Sequence, residues 1–211
     1  MAFKVAGAGA GYIFAYLITS NYGAESFGIF ELSLTALTIA SLFARLGLGG
    51  ALVRFIPEFV EKGDYVHLRK VYKLALSLSL PFAIVLGIAL YFFASDLAII
   101  FGNERLTLPF KIVAHIIPFA TWYQINAEAY RGMKKMVGYS ILQRGTVVLI
   151  AVATLLYLRY SGVETDESPL IAFVSAVVVL SLIAAFTTPR AISNLVPKKT
   201  ISDSQEISLR P

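Results

Sequence analysis

The chain has 211 residues, 57% of them hydrophobic and only 15% charged, with no cysteine and a net charge of +5. A soluble domain carries about 25% charged residues and less apolar surface, so the surplus, gathered into runs long enough to cross a bilayer, predicts an all-α, polytopic membrane bundle of about six transmembrane helices. The absence of alternating ten-residue segments argues against a membrane β-barrel, the lack of cysteine excludes thiol and disulfide chemistry, and cations placed at the ends of apolar runs read as topology signals and not as a nucleic-acid surface.

The first predicted span covers about Ala6 to Ser20 and is rich in glycine and alanine, a composition that lets helices approach closely in lipid. A turn, NYGAESFG, comes next, with Gly23 and Gly28 as breakers. The second span runs from about Phe27 to Leu48 and carries Glu31 and Arg45. Their separation of 14 residues is close to four helical turns, so both lie on one face, roughly 21 Å apart. Each needs another partner or water, because ionisable groups inside a span usually face a bundle interior or a wet cavity. Snorkelling from the span ends is the competing reading.

Gly47, Gly49 and Gly50 loosen the chain after this span. Arg54 and Pro57 come next, and a short interfacial helix is expected over Phe55 to Lys62, ended by Gly63-Asp64. The third span is about Lys73 to Phe93, with a kink expected at Pro81. The linker ASDLAIIFGNERLTLPF is expected to touch the interface. The fourth span, about Leu108 to Tyr130, holds Pro118, and its second half is the most polar membrane stretch in the chain, with Gln124, Asn126 and Glu128. The basic loop RGMKKMVGYSILQRG contains Arg131, Lys134, Lys135 and Arg144. The fifth span is about Ser140 to Tyr160. An acidic loop, SGVETDESPL, precedes the sixth, about Leu170 to Thr187, which is expected to stop at Pro189-Arg190. Residues 1–190 therefore form one transmembrane lobe, and 191–211 a polar tail or linker.

With the N-terminus in the cytoplasm, the inner segments hold Lys4, Arg54, Lys62, Arg69, Lys70, Lys73, the basic loop and the C-terminal cations, whereas the outer segments hold only Arg105, Lys111 and Arg159. That bias obeys the positive-inside rule and puts both termini in the cytoplasm. Motifs for chemistry are missing. His67 and His115 have no carboxylate at metal-ligand spacing, and no HExxH, Walker loop or GxSxG occurs. No enzyme activity, metal or cofactor is expected.

Three stretches carry a family resemblance: YGAESFGIFEL, LFARLGLGGALVRFIPEFVEKGD and AYRGMKKMVGYSILQRG. In their order and spacing the chain resembles the N-terminal half of prokaryotic polysaccharide (oligosaccharide) flippases, within the superfamily that also holds multidrug extruders and the lipid II flippase. The resemblance implies two six-helix lobes packed as a V around a cavity, set in a prokaryotic plasma membrane. It implies a polyprenyl-diphosphate-linked sugar as substrate and membrane lipids as surroundings. Since the chain ends after about six spans, it is expected to be a fragment or half-length product, completed by a second lobe or by a homodimer partner. Arginine suits a diphosphate through bidentate contacts, so Arg45 and Arg54 are expected at the headgroup and Arg131 and Arg144 at the cytoplasmic mouth. Gly47, Gly49, Gly50, Pro81 and Pro118 are candidate flexible points. Two alternatives remain: a cation-coupled small-solute exporter using Glu31 or Glu128 as the ion site, and a non-transporting scaffold of a glycan-assembly complex.

Overall fold

A computed structural model describes residues 2–163 and 165–195, with the side chains of 2–6 and 144 excepted. Among the described residues there is no strand. The helices are α1 (Ala2–Ala44), α2 (Leu48–Glu61), α3 (Tyr65–Phe92), α4 (Ala94–Ile100), α5 (Thr107–Gly132), α6 (Met136–Ile141), α7 (Arg144–Tyr160) and α8 (Ser168–Ser193), with a single 3-10 turn at Glu104–Leu106 before α5. The all-α membrane bundle expected from composition is what the chain forms.

α1 is two helices joined at a single residue. Gly23 has φ 88° and ψ 166°, a backbone region open essentially to glycine. Phe14 and Phe30 meet edge to face with ring centroids 5.4 Å apart. Sixteen residues of straight helix would hold them about 24 Å apart. The chain therefore folds back at Gly23 into a hairpin. Its first arm is 2–22 and its second arm 24–44. Gly28, expected as a second breaker, is helical, so the turn is tighter than the NYGAESFG loop suggested.

Among the described residues, three helices are long and apolar enough to cross a membrane by length and composition: Gly7–Ala44, Tyr65–Phe92 and Ser168–Ser193. The first of these is the hairpin and supplies two crossings. α7 is apolar but shorter, with Gly145–Tyr160 as its apolar part. α5 has the length of a span but carries polar residues, and it is the most enclosed helix of the bundle. It touches α1, α2, α3, α4, α6 and α8, and its neighbours satisfy much of what lipid could not. Asn126 is fully buried, accepts from the Tyr72 hydroxyl at 2.7 Å and donates to the Trp122 carbonyl at 2.7 Å. That pair ties α3 to α5 at a depth where an unpaired amide would be costly.

Close approach of backbones does the rest of the packing, as expected where lipid removes any hydrophobic drive between helices. A Cβ on Gly87 would lie 2.6 Å from the Ala114 carbonyl oxygen. That carbonyl is the one Pro118 cannot donate to, being four residues ahead of it. The bare Cα of Gly87 fills the space, in the geometry of a weak Cα–H···O contact. Gly7 meets Gly145 in the same way, its Cβ position 2.7 Å from the Gly145 Cα. The glycine face of the first arm thus packs on α7 at this crossing, while Gly9 and Gly11 meet nothing.

The two ends of the bundle differ in charge. At one end Arg105 pairs with Glu25 at 3.3 Å, and Arg159 donates to the side-chain amide oxygen of Asn21. At the other end α2 lies across the foot of α5, with Gly132 against the Leu52 carbonyl and Ile56. Lys134 pairs there with Glu61 at 3.6 Å, and the Lys135 ammonium donates to the Ala191 carbonyl at 2.8 Å. The described segments that the positive-inside count assigned to one side, α2 and the basic loop among them, meet at one end of the fold.

Several boundaries differ from those read in the sequence. α2 starts at Leu48, not Phe55, because Gly47 takes a left-handed conformation (φ 72°) and opens the helix directly. α3 starts at Tyr65, not Lys73. Asp64 caps it by accepting from the His67 backbone N–H at 3.1 Å. α6 is a separate short helix, so α7 begins at Arg144, not Ser140. α8 passes through Pro189 to Ser193 instead of stopping there. Buried Thr188, Ala191 and Ile192 hold its last turns against the bundle. The tail from residue 196 lies outside the described residues.

Candidate substrate groove

The second arm of α1 presents Glu31, Leu34, Thr38, Ser41 and Arg45 at spacings of three and four residues, which stacks them on one helix face. That face borders a groove of about 380 Å³ closed by α5, α6 and the start of α7. Arg45 lines it at the basic end, with Thr38 and Ser41 above it on the same helix, and Gln124, Glu128, Tyr139 and Gln143 opposite. A second groove of about 430 Å³ continues along the same face between the two arms and α7, and Glu31, Gly7 and Gly11 line it. Leu34, Gln143, Gly145 and Phe173 border both, so the two form one trough with Glu31 and Arg45 at different heights.

The polar groups of the trough are partly committed. The Arg45 Nε donates to the Ser41 carbonyl one turn back at 3.3 Å. Gln124 donates to the Ser41 hydroxyl at 3.4 Å, and that hydroxyl donates to the Thr38 carbonyl at 3.1 Å. The terminal nitrogens of Arg45 have no carboxylate partner among the described residues. A half-buried guanidinium whose outer fork is free is a ready contact for an anion.

Glu128, also half-buried, forms an ion pair with Arg131 at 3.5 Å, and the Arg131 guanidinium stands 5.8 Å from the centre of the Tyr139 ring. Arg131 is half exposed and sits at the lip of the groove. Gly49 packs directly on Glu128, its Cβ position 3.2 Å from the Glu128 Cγ. The first turn of α2 is thereby in contact with the groove carboxylate.

The fold separates the residues singled out in the sequence. Arg45, Glu128 and, through Glu128, Arg131 come together. Glu31 shares the trough but lies further along it, exposed. Arg54 does not join them. It projects from the face of α2 opposite the buried Leu52 and Ile56, with its guanidinium 5.7 Å from the Phe55 ring. The Arg144 side chain lies outside the described residues, although its backbone opens α7 beside the groove. Gly47 is a sharp backbone break, Gly49 a packing contact and Gly50 is exposed. Pro81 and Pro118 lie within unbroken helices. Thr38, Ser41, Tyr139 and Gln143 were not singled out. The first two were legible as polar positions in step with Glu31 and Arg45. Tyr139 and Gln143 belong to the loop region around α6, whose placement no local pattern gives.

Comparison with known families finds a match, over residues 1–207, to the family described as polysaccharide biosynthesis protein. Among curated proteins and solved structures nothing matches. The family match runs through both hairpin arms, the groove and the basic loop that frames it, so the chain belongs to the polysaccharide biosynthesis protein family.

Proposed function

We propose that this bundle is one lobe of a flippase that moves a polyprenyl-diphosphate-linked oligosaccharide from the cytoplasmic to the outer leaflet of a prokaryotic plasma membrane. A dianionic headgroup cannot cross hydrocarbon unaided. A carrier has to supply cations in a wet cavity while the tail stays in lipid. The observation that carries this reading is Arg45: a cation without a carboxylate partner among the described residues, lining a trough of the bundle with Thr38, Ser41 and Gln124. Arg131, paired with the groove carboxylate Glu128, receives the headgroup at the basic end, which is the cytoplasmic one in this proposal. Arg54, on the outer face of α2, has no part in it. A second lobe, from further chain or a second copy, covers the trough.

The test is transport of a labelled lipid-linked oligosaccharide to the outer leaflet in cells expressing the full protein. A charge-assisted hydrogen bond contributes about 1.5–3 kcal/mol, so Arg45→Ala is expected to slow transport by about ten- to a hundredfold at unchanged expression. Arg45→Lys keeps part of the rate, and Arg54→Ala stays within about twofold. Normal transport by Arg45→Ala overturns the assignment. A second reading rests on Glu128, the half-buried groove carboxylate: a cation-coupled exporter of small solutes, with protonation or ion binding at Glu128 setting affinity. It requires transport to depend on an ion gradient and to lose that dependence in Glu128→Gln.

A further inference from the structure

At the basic end, four cations of the described residues have protein partners. Lys62 pairs with Glu58 at 2.6 Å, Lys134 with Glu61, Arg131 with Glu128, and Lys135 with the Ala191 carbonyl. Arg69, Lys70 and Lys73 differ. All three are exposed on the first turns of α3, and none has an ion-pair partner among the described residues. The nearest carboxylate in sequence, Asp64, is held by His67, through its backbone N–H at 3.1 Å and its ring Nδ1 at 2.6 Å.

The remainder of α3 fixes their height in the membrane. From Leu74 to its end at Phe92 the helix has 19 residues, about 28 Å, close to the thickness of a hydrocarbon core. Apart from Ser77, whose hydroxyl donates to the Leu74 carbonyl, and Pro81, the exposed side chains along this stretch are large and apolar, among them Leu74, Leu78, Ile84, Val85, Ile88 and Phe92. α3 therefore faces acyl chains from Leu74 onward, and the three cations stand immediately above, at the level of lipid phosphates. Spacings of one and three residues keep them within about 6 Å along the axis.

We propose that Arg69, Lys70 and Lys73 form a headgroup site for an anionic phospholipid of the surrounding membrane, whose acyl chains lie along the exposed apolar face of α3. The occupant is set by charge complementarity: three exposed cations without a close ion-pair partner, of which only Lys70 feels the Asp64 carboxylate, over an apolar stripe match an anionic phosphate over two hydrocarbon tails. The site is on the outside of the bundle, separate from the Arg45 trough, and does not depend on the transport proposal. Each cation near an anionic surface strengthens attachment by about fivefold, on the order of a hundredfold for the three together.

The experiment is thermal unfolding of the purified full chain in neutral detergent, titrated with phosphatidylglycerol or phosphatidylcholine. Phosphatidylglycerol is expected to raise the Tm well beyond phosphatidylcholine. The variant Arg69→Gln/Lys70→Gln/Lys73→Gln is expected to need on the order of a hundredfold more phosphatidylglycerol for the same shift, and Lys70→Gln alone about fivefold more. A control variant, Lys62→Gln/Lys134→Gln, removes two paired cations and keeps the wild-type titration. Equal shifts with the two lipids overturn the proposal, as does an unchanged titration in the triple and single variants. A shift reproduced by inorganic phosphate alone also overturns it, since a membrane lipid is then not the ligand. If neither lipid shifts the wild type, the patch belongs to an acidic protein surface and the lipid site is wrong.

Discussion

Gly87 shows how much of this fold depends on single atoms. A methyl group there would sit 2.6 Å from a backbone carbonyl, which cannot move without distorting α5. Overpacking of this kind costs about 1–3 kcal/mol. Gly87→Ala is therefore expected to lower the Tm of the purified protein, whereas Gly9→Ala, which meets nothing, leaves it unchanged. Tyr72→Phe is a second residue-scale test. It strips a buried amide oxygen of its donor, at a cost of about 1–3 kcal/mol, read as a loss of unfolding free energy in detergent. Asp64 gives a pH dependence. The His67 backbone N–H, with further help from the His67 ring, holds its carboxyl below the usual range. A carboxyl lowered in the folded state adds stability that is present above its unfolded pKa and is lost as pH falls through the folded value. Amide exchange in the first turn of α3 is expected to accelerate on acidification below about pH 4, and Asp64→Asn to remove that pH step.

At the scale of elements, the apolar runs were legible because their length and composition are physical requirements of the bilayer. Their ends were less so. Sequence periodicity cannot tell a helix that stops at the interface from one that runs on into water, so α3 and α8 both exceed their expected lengths. α3 gains two turns from the Asp64 cap, and α8 continues through Pro189 because buried neighbours hold its end. The Gly23 break was legible as a turn, but its tightness was not, since a one-residue reversal depends on Phe14 and Phe30 packing across the arms. α2 carries the element-scale consequence. Its Gly49 rests on Glu128 while its far face carries Arg54, so it connects the membrane surface to the groove. Gly49→Val is expected to displace Glu128 and weaken the Arg131 pair. The readout is reduced transport in a protein whose Tm falls by only a few degrees.

For the whole molecule, the candidate site was half legible. Arg45 and Glu31 could be placed on one face by counting residues, and Glu128 could be flagged as a carboxylate in a membrane helix. That Glu128, with Arg131 paired to it, shares a groove with Arg45 depends on α5, α6 and α7 converging on the second arm, and no local pattern encodes that. Arg54, close to Arg45 in the chain, was separated from it by the left-handed Gly47, which sends α2 off with the arginine outward.

The two sides of the second arm can be read directly, because the chain has no cysteine to remove. Thr38 and Ile39 are adjacent and both exposed, but Thr38 borders the trough and Ile39 the apolar side between α1 and α3. The measurement is labelling of Thr38→Cys and Ile39→Cys by a membrane-impermeant maleimide in sealed vesicles of each orientation, with and without a lipid-linked diphosphate sugar. The expected result is labelling at position 38, absent at 39, and suppressed at 38 by the lipid-linked sugar. Equal reactivity at the two positions, or an unreactive position 38, would contradict a water-filled path for an anionic headgroup along this face.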